Sequence, residues 1–589
     1  MTVTGSSMPI LELAGKLFSQ GQLDASDSLL AQVGPADPAY AYALYLRAMM
    51  MAASGRDEER CALLEKAHSL CPTSRDMHVA LARVYADLGR TDEALALLSK
   101  LADTGDITAT IALDRGTLAR RLGKVRLAME CYDTALTLDP GLADAWTCKA
   151  NLLHEDGRYA EALCCHDAAI AANPKHVPAI YNRTATLNRL GQLQEALAES
   201  RRALTLAPGD PEAWTACGCT LALMASLEEA MQCFDHALQI NPRHRHALAN
   251  RASTLAELGQ HQQALDLFEA ALSLAQGHPS DMATLRTKQG MLQLMMGDWA
   301  GWAGYEYRTK IDRSASLHDV YAPRWSGSES LAGKYILLWS EQGFGDTIQF
   351  CRYAACLKER GAIVMLEVPA SLLSLCGQLP AASIHVRGEP LPPHDFQIPM
   401  MSMPLALGND RELPYPHGYL RAPDAHVQKW AAALPPRSRR PRIGIVCSGS
   451  LYHQRNAARS IPLAAFEPLI AHAELIVLQP ELTQQDNCTI ENISGLLKPA
   501  VDINDFADVA GLIANTDLVI SVDTAIAHLT GALGHPLWLL LPWQAEWRWM
   551  TQRDDTPWYA TACLYRQENR GCWESVIARV RRAIADKFP

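Results

Sequence analysis

Small and apolar residues recur through the first half of the chain with a period far longer than one helical turn. Gly55, Gly89, Gly123, Gly157 and Gly191 lie 34 residues apart, and the next steps fall on Ala225 and Gly259. Five residues further on stand Ala94, Ala128, Ala162, Ala196, Ala230 and Ala264. Ala135, Ala169, Ala203, Ala237 and Ala271 keep the same register, as do Pro72, Pro140, Pro174, Pro208 and Pro242. Self-similarity at this spacing predicts stacked helical hairpins. The small residue suits the turn between two helices, the alanines let paired helices approach closely, and the proline ends each second helix. About seven hairpins are expected between residues 40 and 275, with room for a divergent cap at Met8–Tyr40. After Gly259 the period fails, the next comparable glycine being Gly297. GDWAGWAGYEYR (Gly297–Arg308) is expected to form one amphipathic helix whose aromatics fill an interdomain seam.

From about Tyr335 the pattern changes to short apolar runs alternating with amphipathic helices. YILLWS (335–340), AIVMLEV (362–368) and ASIHVR (382–387) predict one set of buried parallel strands. RIGIVCSG (442–449), ELIVLQ (474–479), DLVISVD (517–523) and PLWLLLP (536–542) predict a second, separated from the first by LPPRSRRP. Strands this apolar imply parallel sheets covered on both faces. Two doubly wound units place a cleft at the carboxyl ends of their strands. The expected organisation is a helical solenoid at 1–275, a linking helix and connection at 276–330, and α/β units at 331–440 and 441–589. The last closes with an amphipathic helix, Trp573–Phe588.

The repeats resemble tetratricopeptide repeats at position after position, including Trp146 and Trp214 at one early site. That resemblance implies a superhelix whose groove holds an extended peptide or a partner's helix. One ladder position on the first helices reads Asp114, Cys148, Asn182, Ala216, Asn250. Asn182 and Asn250 are candidate contacts for a protein partner, because an amide both donates and accepts. They equally suit solvated positions or bridges between repeats.

Composition narrows the picture. Hydrophobic and charged fractions of 49% and 20% are those of a soluble globular protein, and 589 residues require more than one core. A net charge of -11 argues against bulk nucleic-acid binding while leaving room for a local basic pocket. Sixteen cysteines without metal-ligand spacing read as reduced, core-filling thiols of the cytosol. The first residues, MTVTGSSMPILELAGKLFSQ, have neither a basic start nor a long apolar run, and no stretch approaches the roughly 18 apolar residues of a membrane span. A cytoplasmic chain without a transmembrane segment is expected.

Three loops at predicted strand ends carry the candidate chemistry. In EQGFGDTIQF (341–350), Gly343 and Gly345 allow close backbone approach to a ligand, and the following helix offers its N-terminus to an anion. Asp346 sits at that turn, where a helix cap and a ligand contact are both open readings. In SGSLYHQRNAARSIPL (448–463), Ser448, Gly449, His453, Arg455, Arg459 and Ser460 suit a phosphate or diphosphate, against the alternative of a solvated loop. In SVDTAIAHLTGALGHP (521–536), Asp523, Thr524 and Ala525 open a helix and His528 follows one turn later. The Trp- and charge-rich QAEWRWMTQRDDTPWY (544–559) either lines a sugar or acceptor site or anchors the last helix.

On these residues the α/β half resembles the heptosyltransferase-like family of GT-B glycosyltransferases, from about Leu331 to the C-terminus. EQGFGDTIQF is similar to that family's glycine-aspartate loop on the acceptor side, and SVDTAIAHLTGALG to its donor-side motif. The whole chain resembles bacterial fusions of tetratricopeptide repeats with this domain, some of which glycosylate flagellin. The resemblance implies Asp346 as general base, Thr524, Ala525 and His528 on nucleotide phosphates, and Ser448, Gly449, Arg459 and Ser460 on the leaving group. It implies no metal and no cofactor beyond a nucleotide-sugar donor, a helix terminus and basic side chains replacing a cation; this half has no Asp-x-Asp. His453 and Arg455 stand where the family often carries Lys, leaving ADP-, GDP- and UDP-sugars and CMP-nonulosonic acids open as donors. The leading expectation is a protein O-glycosyltransferase whose repeats recruit a protein acceptor such as flagellin, with either stereochemical course. A transferase acting on glycan or lipid-linked sugar, and a non-catalytic scaffold, are the alternatives.

Overall fold

A computed structural model describes residues 8–51, 56–311, 318, 322–408, 413–450, 456–499 and 503–588. The chain forms two compact units, Met1–Asn250 and Arg251–Pro589. Among the described residues seventeen helices run from Met8 to Met295, and the division between the units falls within the helix Arg245–Glu257.

In the first unit each period of the sequence is one helical hairpin, as in Ala143–Glu155 with Tyr159–Ala172 and Val177–Arg189 with Leu193–Leu206. Ala94, Ala128, Ala162, Ala196 and Ala230 are fully buried, where a larger side chain would push paired helices apart. The recurring tryptophans serve the loop before them: Trp146 Nε1 donates to the Pro140 carbonyl at 3.0 Å and Trp214 Nε1 to that of Pro208 at 2.9 Å. Two histidines join successive repeats. His176 and His244 accept through Nδ1 from the Ala179 and Ala247 amides at 3.1 and 3.3 Å. Their Nε2 atoms lie 2.9 Å from Asp144 and 2.7 Å from Glu212, in the preceding repeat. Met8–Ser19 and Leu23–Leu30 form the first hairpin, closed on Leu11, Ala14, Leu30 and Val33.

The turn position is left-handed at Gly89, Gly123, Gly157 and Gly191, with φ between 70° and 79°. There the helix closes on itself, as when the Arg90 amide donates to the Tyr85 carbonyl at 2.7 Å. Gly55 lies outside the described residues. Ala225 adopts the same conformation, φ 66°, and the Ser226 amide donates to Leu221 at 2.9 Å. A Cβ is held in a region that disfavours it.

In the second unit the segment expected as one helix after Gly297 is broken into Gly301–Tyr305 and Arg308–Ile311. The first piece lies so near the helix Pro279–Met295 that a Cβ on Gly290 would come 2.5 Å from the Gly301 carbonyl oxygen. The break turns Arg308 inward, where it pairs with Glu341 at 2.7 Å. Trp302, 1% exposed, packs 5.3 Å from Trp547 and 6.1 Å from Phe350. Of the aromatics expected in an interdomain seam, Trp302 and Tyr305 are buried within this unit.

Two parallel sheets follow. The first comprises β1 (Tyr335–Trp339), β2 (Ile363–Val368), β3 (Ser383–Val386) and β4 (Phe396–Pro399), in the order β3-β2-β1-β4. The second comprises β5 (Arg442–Val446), β6 (Glu474–Val477), β7 (Leu496–Leu497), β8 (Leu518–Val522), β9 (Leu537–Leu541) and β10 (Ala562–Arg566), in the order β10-β9-β8-β5-β6-β7. Every pairing is parallel, with Ile443 opposite Leu475 and Leu518 across the centre of the second sheet. Strands β4, β7 and β10 lack a strong sequence signal. β4 is four residues long and ends in proline, β7 is two residues long, and β10 is an edge strand that buries only alternate residues. The helix Asp424–Ala433 precedes LPPRSRRP yet joins the helix Phe506–Ala514 beside the second sheet, Lys429 meeting Asp508 at 2.6 Å. The last helix, Glu574–Lys587, buries Val576, Ile577, Val580 and Ile584 in the core under β5, β6 and β8.

Relieving the left-handed Cβ at Ala225 is expected to stabilise the first unit. Ala225→Gly should gain about 1 kcal/mol, the left-handed penalty partly offset by the added freedom of glycine in the unfolded chain. Urea denaturation of the full chain followed by circular dichroism measures it, and an unchanged or lower midpoint would refute the assignment of strain.

Candidate functional site

The candidate residues gather where strands β1, β5 and β8 end. After β1 the backbone turns at Gly343 into the helix Phe344–Phe350. Asp346 caps this helix, its Oδ2 accepting the Gly343 amide at 2.9 Å. The Gly343 amide is thus occupied by the chain's own carboxylate. The close approach expected of Gly345 toward a ligand is, in this structure, toward His528: a Cβ would come 2.9 Å from Cδ2 of its ring. The other oxygen of Asp346 is paired with Arg548, whose Nε donates to Gln349 at 2.7 Å and which also pairs with Glu546. Burial raises the proton affinity of Asp346 above the usual carboxylate range; Glu546 adds to the rise, and Arg548 opposes it without cancelling it.

After β8, Thr524 caps the helix Ala525–Ala532, its hydroxyl accepting from the Ala527 amide at 3.4 Å. Asp523 is pushed up to about 6 by burial and by Glu546, with Arg459 opposing. His528 is buried, its Nδ1 2.9 Å from the Tyr559 hydroxyl and its ring stacked on Trp549 at 5.1 Å. Burial, reinforced by Arg548, Arg352 and Arg459, holds its pKa well below the ordinary value, so the imidazole is neutral at physiological pH. Ala525 is the first residue of that helix, where backbone N–H groups lack intrahelical partners.

After β5, the Cys447 and Ser448 amides donate to Gln479 Oε1 at 2.7 and 3.1 Å, and Gln479 returns a bond to the Ser448 hydroxyl at 2.8 Å. The Gly449 amide donates to Asn456 at 3.0 Å. The Arg459 guanidinium lies against Gly449, so that a Cβ there would come 2.6 Å from Nη2. The buried Nε of Arg459 has no hydrogen-bond partner among the described residues. Ser460 gives its hydroxyl proton to the Asn456 carbonyl at 2.7 Å. His453 and Arg455 lie outside the described residues.

The loops after β1 and β8 meet through Gly345 and His528. Together they present a carboxylate of raised proton affinity, a capped helix start and, at the β5 end, an arginine with a donor that has no partner among the described residues. This chemistry can take up a proton and seat an anion. Sequence reasoning missed Arg548, Glu546, Gln349, Gln479, Asn456 and Tyr559. Its one signal was the density of Trp and charge in QAEWRWMTQRDDTPWY: Arg548 and Trp549 reach the site, while Trp547 and Trp558 pack on Trp302 at 5.3 and 6.4 Å.

In the first unit, Asn182 is half-buried on the helix Val177–Arg189, and Asn250 occupies the same register two repeats on. Asp114, earlier in that ladder, pairs with Arg83 at 3.1 Å. Among the described residues no helix is long and apolar enough to cross a membrane.

Models of the tetratricopeptide repeat match residues 109–142, 131–163 and 225–279. Protein FlbA of Caulobacter vibrioides is 25% identical over 347 residues, 53% of this chain and 56% of that protein, so the chain spans little more than half the length of this relative. A tetratricopeptide repeat protein from Parabacteroides merdae is 18% identical, with a TM-score of 0.37 over 42% of this chain and 98% of its own. YrrB, a TPR protein with an unusual peptide-binding site, is 26% identical over 31% of this chain and 93% of its own, with a TM-score of 0.24. The helical half of this chain is a tetratricopeptide-repeat array, a scaffold for protein interaction, and it is followed by an α/β region.

Proposed function

We propose that this chain is a GT-B protein O-glycosyltransferase, acting in the cytoplasm on a protein acceptor recruited by its repeats. The observation that carries the reading is the placement of Asp346: a half-buried carboxylate at the end of β1, its proton affinity raised by burial, beside the helix start that bears Thr524 and His528. A Ser or Thr hydroxyl of the acceptor gives its proton to Asp346 as its oxygen bonds to the anomeric carbon. The bond from that carbon to the donor's phosphate oxygen breaks, and its electron pair leaves with the phosphate. Arg459, whose Nε has no hydrogen-bond partner among the described residues, and the N–H groups at the start of Ala525–Ala532 take up that charge. Thr524 and neutral His528 orient the phosphates, with Ser448, Gly449 and Ser460 shaping the opposite wall. On this reading the donor is a nucleotide-activated sugar, CMP-nonulosonic acids included, and no metal is required. Asn182 and Asn250 hold backbone groups of the acceptor, for which flagellin is the case the sequence resemblance supplies.

Replacing Asp346 by Asn or Ala should lower sugar transfer by about 10²–10⁴-fold while leaving acceptor binding intact. Intact-mass measurement of candidate acceptors, in cells with and without the gene and with each variant, reads this directly. Full modification with Asp346→Ala would sink the assignment.

The Asn182→Ala, Asn250→Ala double variant should weaken acceptor capture by about tenfold, two neutral hydrogen bonds being worth roughly 1–2 kcal/mol. Pull-down of the acceptor identified by mass, followed by titration calorimetry, measures that loss. Unchanged affinity would remove these asparagines from the acceptor surface.

A further inference from the structure

Arg548 is buried, its side chain 3% exposed, and each of its guanidinium nitrogens is engaged. Nε donates to Gln349, itself fully buried, at 2.7 Å; one terminal nitrogen pairs with Asp346 Oδ1 and the other with Glu546. The guanidinium also lies over the Trp547 ring, 4.3 Å from its centroid. A planar group pinned at three edges and one face has a fixed orientation. Asp346 is held just as closely, Oδ1 by Arg548 and Oδ2 by the Gly343 amide at 2.9 Å, so its carboxylate plane cannot turn without breaking one of these contacts. Asp346 and Arg548 lie 202 residues apart, in the first turn of the helix that follows β1 and in the short helical turn Trp547–Trp549 that follows β9.

We propose that Arg548 is the positioning residue of Asp346: by bridging Asp346 to Glu546 it fixes the direction of the Asp346 carboxylate and sets how readily that carboxylate takes a proton. The role rests on the reading of Asp346 as proton acceptor. One guanidinium faces two carboxylates, so the triad carries a net negative charge until Asp346 is protonated and is neutral afterwards. Uptake of the acceptor's proton thus relieves an excess charge that burial makes costly. The two neighbours act in opposite directions: Arg548 favours the ionised form of Asp346 and Glu546 disfavours it. The other charged or titratable groups facing Asp346 are Arg308, Glu341 and Tyr305, together with His528 across Gly345. Arg548 also acts on Tyr305 and His528, so the Glu546 substitution, which leaves Arg548 in place, is the second arm of the test.

The test measures proton affinity in the full-length chain. Protein labelled with carbon-13 at aspartate Cγ is titrated by NMR, and Asp346→Asn identifies the Asp346 resonance by its loss. Arg548→Met should raise the Asp346 midpoint by about 1–3 pH units, the range for one opposite charge at contact, and Arg548→Lys should restore part of the shift. Glu546→Gln should lower the midpoint; the Glu546 side chain is 39% exposed, so this substitution leaves the fold intact. A merely structural Arg548 would change the melting temperature and leave the midpoint where it was. A folded Arg548→Met protein with the wild-type midpoint, or a Glu546→Gln midpoint that stays or rises, overturns the proposal. If Arg548→Met fails to fold, the sign of the Glu546→Gln shift decides alone. Sugar transfer surviving in Asp346→Asn would instead remove the proton-acceptor reading while leaving the measured shifts standing.

Discussion

A buried guanidinium must find anions or other acceptors for its N–H groups or lose several kcal/mol to desolvation, and the second unit meets that requirement with two carboxylates at Arg548. Its partners come from the loop after β1 and from its own segment after β9. Meeting the requirement therefore brings distant parts of the chain to one point. The surrounding aromatics follow from the same need. Trp547 covers one face of the guanidinium, Trp302 and Phe350 close behind it, and Trp549 lies flat against His528. A shell of rings keeps water away and strengthens the ion pairs it encloses. The same shell holds His528 neutral.

A second buried guanidinium repeats this logic on the other side of the glycine loop. Arg308 grips both oxygens of Glu341, at 3.1 and 2.7 Å, and donates to Ser402 at 2.8 Å. Glu341 in turn accepts the Met401 amide at 3.1 Å. The loop from Glu341 to Asp346 is thus anchored at both ends by arginines, one preceding the first sheet and one following β9. Anchoring at both ends gives a glycine-containing segment a defined shape despite the freedom of its backbone.

What was legible in the sequence follows from how locally each constraint acts. The repeats were readable because a left-handed turn, a crowded helix crossing and a proline-bounded loop each restrict one residue, and the restriction recurs every 34 positions. Even the exception at Ala225 kept its place. The seven strands that lie within apolar runs were readable for the same reason, whereas β4, β7 and β10 owe their existence to neighbours already in the sheet. At the site, Asp346 and His528 stand on turns whose local chemistry marks them. Arg548 does not: its importance depends on a partner 202 residues away, and the density of Trp and charge around it marks the segment rather than this residue. The single helix predicted across Gly297–Arg308 is broken for a similar reason, because Gly301 and Gly304 lie in close contact with Pro279–Met295, which the local pattern does not reveal.

The histidines at the repeat boundaries bear on how the array comes apart. His176 and His244 each fasten the start of one helix to a carboxylate in the repeat before it. Stability in a solenoid is a sum of terms for repeats and for the joints between them, so these two joints are stiffer than one made by apolar contact alone. Opening the array at either boundary therefore breaks a polar contact as well as apolar packing.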